Sequence, residues 1–320
     1  MMNTSLARMS AHAHRSTTRE EGSAHVQPEV HHSVMTKEVL EALQPAEGGL
    51  IVDATLGQGG HSESILTHTK ARVLALDADP RAIVLAAKRL APFKTRVRIV
   101  ESNFSELEQV LAHEHAPTIN AALFDLGWNS GQLASGRGFS FLVDEPLSMS
   151  YGKNPASGFT ATEALNGWDE KTLADVFFGY GEERYAKRIA KAIVERRKLA
   201  PIATSFELVE IVRDSVPPAY RHGRIHPATR TFQSLRIAVN DELRVIEKGL
   251  TAAWAHLAPG GRIVVISFHS IEDRLVKQLF ARFAKGGGEL VYKKPLPPSQ
   301  SEVRQNPRAR SAKVRVIQKN

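Results

Sequence analysis

From Leu50 to Phe124 short apolar runs alternate with stretches of helical period, and no other feature of the chain narrows its fold as far. Leu50-Ile51-Val52 and Ala121 to Phe124 read as buried strands, and Arg72 to Leu76 and Val97 to Val100 as the strands between them. Helices are predicted over Lys37 to Leu43, from about His61, and after Asp79-Pro80, where the acid can cap the helix and proline takes its first position. Strands that alternate with helices pair in parallel through right-handed crossovers, so the expectation is an α/β fold with a doubly wound, mostly parallel sheet. The alternation stops after Asp125 and resumes with Arg262 to Ile266. Between them the apolar spacing is helical, and Thr160 with Glu163 and Thr204 with Glu207 have capping-box spacing, which predicts an inserted helical subdomain. A last helix carries Leu243, Ile246, Leu250, Trp254 and Leu257 on one face and is expected to stop at Pro259-Gly260-Gly261. Leu290 to Tyr292 and Val314 to Ile317 are expected to form an antiparallel edge pair. The predicted division is a discontinuous core, 27–145 and 240–320, a helical insert, 146–239, and a disordered extension, 1–26.

Composition removes several classes of function. The 320 residues include no cysteine, which excludes a disulfide scaffold and thiolate zinc sites. No apolar run nears the roughly 20 residues that cross a bilayer. The thirteen histidines show no H-x-x-x-H pair with a carboxylate, so no catalytic metal is expected. A cytoplasmic protein without membrane or metal partners follows, and the sequence sets no oligomeric state. The net charge of +8 points to a polyanionic partner, and Lys293 to Asn320 hold +7 of it, leaving about +1 for the rest. That basic end is either a solvated surface or a nucleic-acid contact. The same choice stands for the helix bearing Arg184, Lys187, Arg188, Lys191, Arg196, Arg197 and Lys198.

The chemistry is expected at the carboxyl ends of the strands, where open α/β sheets bind ligands. Asp53 to His61 joins the first strand to its helix through small residues that let a ligand approach the backbone, and the helix N-terminus offers unpaired N–H groups. Asp77 ends the second strand about 20 residues after Gly57, the placement of an acid that accepts hydrogen bonds from a ribose diol. Together they indicate a nucleoside-bearing cofactor. A nicotinamide enzyme would need glycine where this chain has Ser62, so that reading fails. Asp125 follows a buried strand directly and needs a cationic or hydrogen-bonding partner, such as a ligand amine. Ser270 and Asp273 have capping-box spacing, and His269 either lines the cleft or is a satisfied structural histidine.

From about His31 the chain resembles the bacterial small-subunit ribosomal RNA cytosine-N4 methyltransferases, the RsmH or MraW family. The resemblance rests on Asp53-Ala54-Thr55-Leu56-Gly57-Gln58-Gly59-Gly60-His61-Ser62, Asp125-Leu126-Gly127, Arg137-Gly138-Phe139-Ser140-Phe141, Tyr180-Gly181-Glu182-Glu183-Arg184, the segments His226 to Gln233 and Ser267 to Arg274, and Asn306-Pro307-Arg308-Ala309-Arg310-Ser311. It implies a Rossmann-like core with a helical insert, S-adenosyl-L-methionine as cofactor, small-subunit ribosomal RNA as partner, and methylation of a cytidine N4 in the decoding centre. It also implies that Gly59, Gly60 and His61 lie against the methionine part, Asp77 holds the ribose, Phe104 neighbours the adenine, and Asp125 with Gln132 completes the pocket. Asp125 is the candidate catalytic residue, as an acceptor for the target amine. Trp128 is expected to stack on the target base, with Tyr151 and Phe139 as the other nearby aromatics, and Arg230, Arg236, Arg308 and Arg310 to contact RNA. The chain departs from the family at Trp128-Asn129-Ser130-Gly131 and at Ser148-Met149-Ser150-Tyr151-Gly152. Those departures motivate the competing reading, a catalytically weak RNA-binding or ribosome-assembly protein that keeps the cofactor pocket.

Overall fold

A computed structural model describes residues 33–127, 135–151 and 155–320. Seven strands form one sheet: β1 (Leu50–Asp53), β2 (Arg72–Asp77), β3 (Val97–Glu101), β4 (Ile119–Asp125), β5 (Leu257–Ser267), β6 (Gly288–Leu290) and β7 (Lys313–Lys319), in the order β3-β2-β1-β4-β5-β7-β6. β1 to β5 pair in parallel, and β7 runs antiparallel to both β5 and β6. The order reverses between β1 and β4, and a crevice opens there at the carboxyl ends of the strands.

Alternate residues of each strand serve opposite layers. Ile51, Val73, Leu123 and Val264 pack with α1 (Thr36–Leu43), α2 (Gly60–His68) and α3 (Pro80–Arg89). Val52, Leu74, Phe124 and Val265 pack on the other face with α4 (Leu107–His113), α11 (Glu242–His256) and α12 (Ser270–Lys285). The continuous apolar runs are thus a two-sided core. A third cluster, from Phe139 to Val239, holds the helices of the insert together: α5 (Ala161–Gly167), α6 (Glu170–Gly181), α7 (Ala186–Arg197), α8 (Ser205–Ser215), α9 (Pro218–Arg221) and α10 (Thr229–Val239). Both predicted capping boxes form, at Thr160 with Glu163 and at Thr204 with Glu207.

Two expectations are corrected and one is borne out. Pro259-Gly260-Gly261 does not precede the fifth strand but lies inside it: Leu257 pairs with Ile119 and Arg262 with Ala121, so the residues between bulge out, with Gly260 at φ +77°. The expected antiparallel edge pair forms between β6 and β7, with β7 on the inner side against β5, and the basic loop before β7 carries α13 (Gln300–Gln305) and a 3₁₀ turn at Pro307–Ser311. The cap of α12 is His269, not Ser270. Its ring accepts from the Glu272 amide at 3.3 Å, while the Glu272 carboxylate accepts from the amides of Phe268 and His269. Ser270 instead donates to Glu182, and Asp273 takes Arg315 and Lys313.

Candidate active site

The β1–α2 loop is shaped by two acids, Asp53 at its start and Asp77 from the end of β2. Asp53 is buried, accepts from the Ser62 hydroxyl at 2.6 Å and the Thr55 amide at 3.2 Å, and has its pKa raised mainly by desolvation. Ser62, standing where a dinucleotide loop has its third glycine, therefore anchors the loop. Asp77 accepts from the Gly57 amide at 2.7 Å and the Asp79 amide at 2.8 Å. Burial outweighs those two bonds and pushes its pKa up to about 6.

A cleft opens over this loop, and Gly60, His61, Asp77, Phe104 and Asp125 all line it. Gly59 does not. It adopts φ +84° at the cap of α2, and a side chain there would meet Ala86 and Leu90 behind the loop. Its role is the turn rather than the ligand wall. Gln132 and Trp128 lie outside the described residues, as does the extension 1–26. Phe104 stands edge-on to Phe124, ring centroids 5.5 Å apart, on a 3₁₀ turn capped by Asn103.

Asp125 is held by its backbone, whose amide donates to Thr55 Oγ1 at 2.7 Å. Its Oδ2 lies 3.4 Å from His61 Nε2, outside hydrogen-bond geometry. Asp125 Oδ1 and both His61 nitrogens are buried without a hydrogen-bond partner among the described residues. Buried polar atoms left in this state await a ligand or cost the fold stability. The methionine ammonium and target amine supply donors of the kind Asp125 lacks, and Asp77 has acceptor capacity left for a diol, so these residues fit S-adenosyl-L-methionine.

The far wall holds a group that sequence reasoning did not find. Arg236 is buried, donating to Glu242 at 2.7 Å and 3.0 Å, with Glu272 3.8 Å away. Tyr151 donates to Glu242 at 2.9 Å, and His269 pairs with Glu272 at 2.9 Å. The guanidinium pKa is raised because its two acids outweigh desolvation, and that of the Tyr151 phenol is raised chiefly by burial. Glu242, His269 and Glu272 offer three donor atoms within 4.8 Å of one another, the pattern of a metal site, but Arg236 already supplies the positive charge there. Arg236 is therefore a buried positioning residue and not a grip on RNA phosphate, contrary to expectation. His269 is satisfied within the same network. Tyr151 and Phe139 stack on each other at 5.4 Å, which covers one face of each ring, and Tyr151 lines the cleft. Arg137 ties the Tyr151 carbonyl to the α3 cap Asp79.

Of the other predicted RNA contacts, Arg230 is half-buried and donates to the Glu182 carbonyl at 2.6 Å, and Arg310 is exposed. Arg308 lines the cleft itself, which the charge of the tail did not foretell.

A sheet with a reversal point, an acid-bounded loop on its first crossover and an unsatisfied acid at the fourth strand define a nucleoside-cofactor enzyme of the Rossmann-like class. The sequence pattern of the MraW methylase family matches residues 29–320, and the chain belongs to that family. It is 46% identical over 309 residues to the ribosomal RNA small subunit methyltransferase H of Heliobacterium modesticaldum, covering 90% of this chain and 98% of that protein. The protein of the same name from Geotalea uraniireducens is 45% identical over 308 residues, with 90% and 98% covered.

Proposed function

We propose that this protein transfers the methyl group of S-adenosyl-L-methionine to the exocyclic N4 of a cytidine in the decoding centre of small-subunit ribosomal RNA. Membership of the MraW methylase family supports this reading, and the observation that carries it in the molecule is Asp125, a half-buried acid whose Oδ1 is buried and unsatisfied at the mouth of β4. Asp77 would hold the ribose diol, Phe104 would lie against the adenine, and Gly60 and His61 would flank the methionine part, with Gln132 completing the pocket. The cofactor supplies an already activated methyl group.

A cytosine amine is a weak nucleophile because its lone pair is delocalised into the ring. It gains reactivity as it pyramidalises, and an oxygen acceptor on its N–H favours that geometry. Asp125 Oδ1 is suited to the task, and the Thr55 hydroxyl fixes the backbone that aims it. The Arg236 network stiffens the far wall through Glu242 and Tyr151. A base stacked in folded RNA must leave its stack at a cost of a few kcal/mol, so Arg230, Arg310 and Trp128 are assigned to gripping and stacking the displaced strand. No helix among the described residues is long and apolar enough to cross a membrane. The separate packing of the Phe139 to Val239 cluster supports 146–239 as the insert within a core of 27–145 and 240–320, with the insert's packing starting nearer Phe139.

Incubating the protein and S-adenosyl-L-methionine with small subunits that lack the modification, followed by nucleoside mass spectrometry, should yield N4-methylcytidine. Cofactor binding without any methylated nucleoside would leave the non-catalytic assembly role as the correct reading.

A further inference from the structure

We propose that Arg308 binds the carboxylate of the cofactor's methionyl arm, so that the carboxyl-terminal segment completes the cofactor site. The inference rests on the cofactor reading above and assigns it a residue that the glycine loop does not supply. Four carboxylates line the cleft, from Asp77, Asp125, Glu242 and Glu272, and Arg308 is the one lysine or arginine among the described residues that joins them. A ligand carrying both an ammonium and a carboxylate finds acids for the first and needs a cation for the second.

The fold brings Arg308 to the end of the cleft where that arm belongs. Ala309, beside it on the Pro307–Ser311 turn, is fully buried in the cluster that contains Val34, Met35, Ile65 and Leu66. Glu302, on α13 just before the turn, accepts from the Met35 amide at 3.1 Å. The turn is thereby pinned to Ser33–Met35, and this short segment closes against the start of α2. Ser33 lies directly beside Gly60: a Cβ there would meet Ser33 Oγ at 2.2 Å, a contact that rotation of the serine side chain relieves, and Ser33 Cβ at 3.3 Å. β7 then leaves the turn by pairing Lys313 with Ser267 at the carboxyl end of β5. Asp77 and Phe104 sit at the β2 and β3 side of the same cleft, beyond β1 and β4 in the sheet order. A cofactor with its ribose at Asp77 and its methionyl arm over the β1–α2 loop directs its carboxylate toward Ser33, the N-terminus of α2, which has no side-chain cap, and Arg308.

The test compares two ligands that differ in the amino-acid arm: S-adenosylhomocysteine, which keeps it, and methylthioadenosine, which lacks it. Both are titrated calorimetrically into the wild-type protein, Arg308→Ala and Arg308→Lys. The expected result is that Arg308→Ala weakens S-adenosylhomocysteine tenfold or more, leaves methylthioadenosine within twofold of wild type, and is partly rescued by lysine. Equal weakening of both ligands would mean that Arg308 only shapes the fold, and unchanged binding of both, with RNA affinity and its salt dependence reduced, would mean a phosphate contact; either overturns the assignment. Wild-type protein that binds neither ligand would overturn the cofactor reading itself, and Arg308 with it.

Discussion

Asp77 turns the cofactor site into a pH-dependent one. Its carboxyl pKa rises from 3.8 to about 6 in the ligand-free fold, because burial costs the charged form more than the Gly57 and Asp79 amides return. A ribose diol hydrogen-bonds best to the ionised acid, so protonation and ligand compete. Affinity for S-adenosylhomocysteine should be level above pH 7 and decline as pH falls through 6, by up to about tenfold per unit. The upward shift also means that ionised Asp77 opposes folding: stability contributed below 3.8 is lost as pH rises through 6, so the ligand's protection against thermal unfolding should grow over that window. Asp77→Ala should remove both the pH dependence and most of the affinity, which calorimetry across pH 5 to 8 would check. Arg236 carries a different prediction. Its deletion leaves Glu242 and Glu272 buried without a cation, a defect that typically costs about 3 to 5 kcal/mol, so Arg236→Ala should show a large drop in denaturation midpoint. A surface arginine gripping RNA would leave the midpoint unmoved.

The helices of the core locate the adenine side through α11. Gly249 faces Phe104, and an added methyl would stand 2.6 Å from the Phe104 ring, 3.0 Å from its carbonyl and 3.2 Å from Phe124. Gly249→Ala raises helix propensity by up to about 1 kcal/mol but must displace that ring and the 3₁₀ turn beneath it. The expected outcome is net destabilisation together with weaker S-adenosylhomocysteine binding, measured by thermal melts and calorimetry. Unchanged affinity in a folded variant would remove Phe104 from the pocket. Elements of this kind were legible where local signals dominate: the four inner strands show as apolar runs, and Asp79-Pro80 and both threonine capping boxes appear where spacing placed them. The insertion of β7 between β5 and β6 was not, because it is decided by pairing between Arg262 to Ser267 and Lys313 to Gln318, far apart in the chain. Nor was the His269 cap, since Ser270 offers the commoner capping side chain one residue later.

At the scale of the whole molecule, fold and charge separate residues that the sequence grouped together. The acids of the β1, β2 and β4 ends were readable because each follows its strand directly, whereas Arg236 and Arg308 are arginines whose partners come from other elements, and nothing in their local spacing marks one as buried and the other as lining a cleft. The basic carboxyl-terminal segment divides in the same way. Lys313 and Arg315 both pair with Asp273, binding β7 to α12, Arg308 faces the cofactor cleft, and Arg310 stays exposed on the turn between them. Net charge therefore overstates the surface available to RNA. If Arg310 meets a phosphate, Arg310→Ala should lower the slope of log affinity against log salt by about 0.7 to 0.9, one counterion's worth, and leave cofactor binding intact. Lys313→Ala should leave that slope as it was, because its ammonium is held against Asp273 on the β7–α12 side, and should instead loosen that contact by roughly 0 to 1 kcal/mol, the usual range for a partly exposed pair. Filter-binding titrations of small-subunit RNA over a range of salt would distinguish the two variants. A wild-type slope in both variants would mean that neither residue contacts phosphate and that the RNA is held by Arg230 and the basic face of α7.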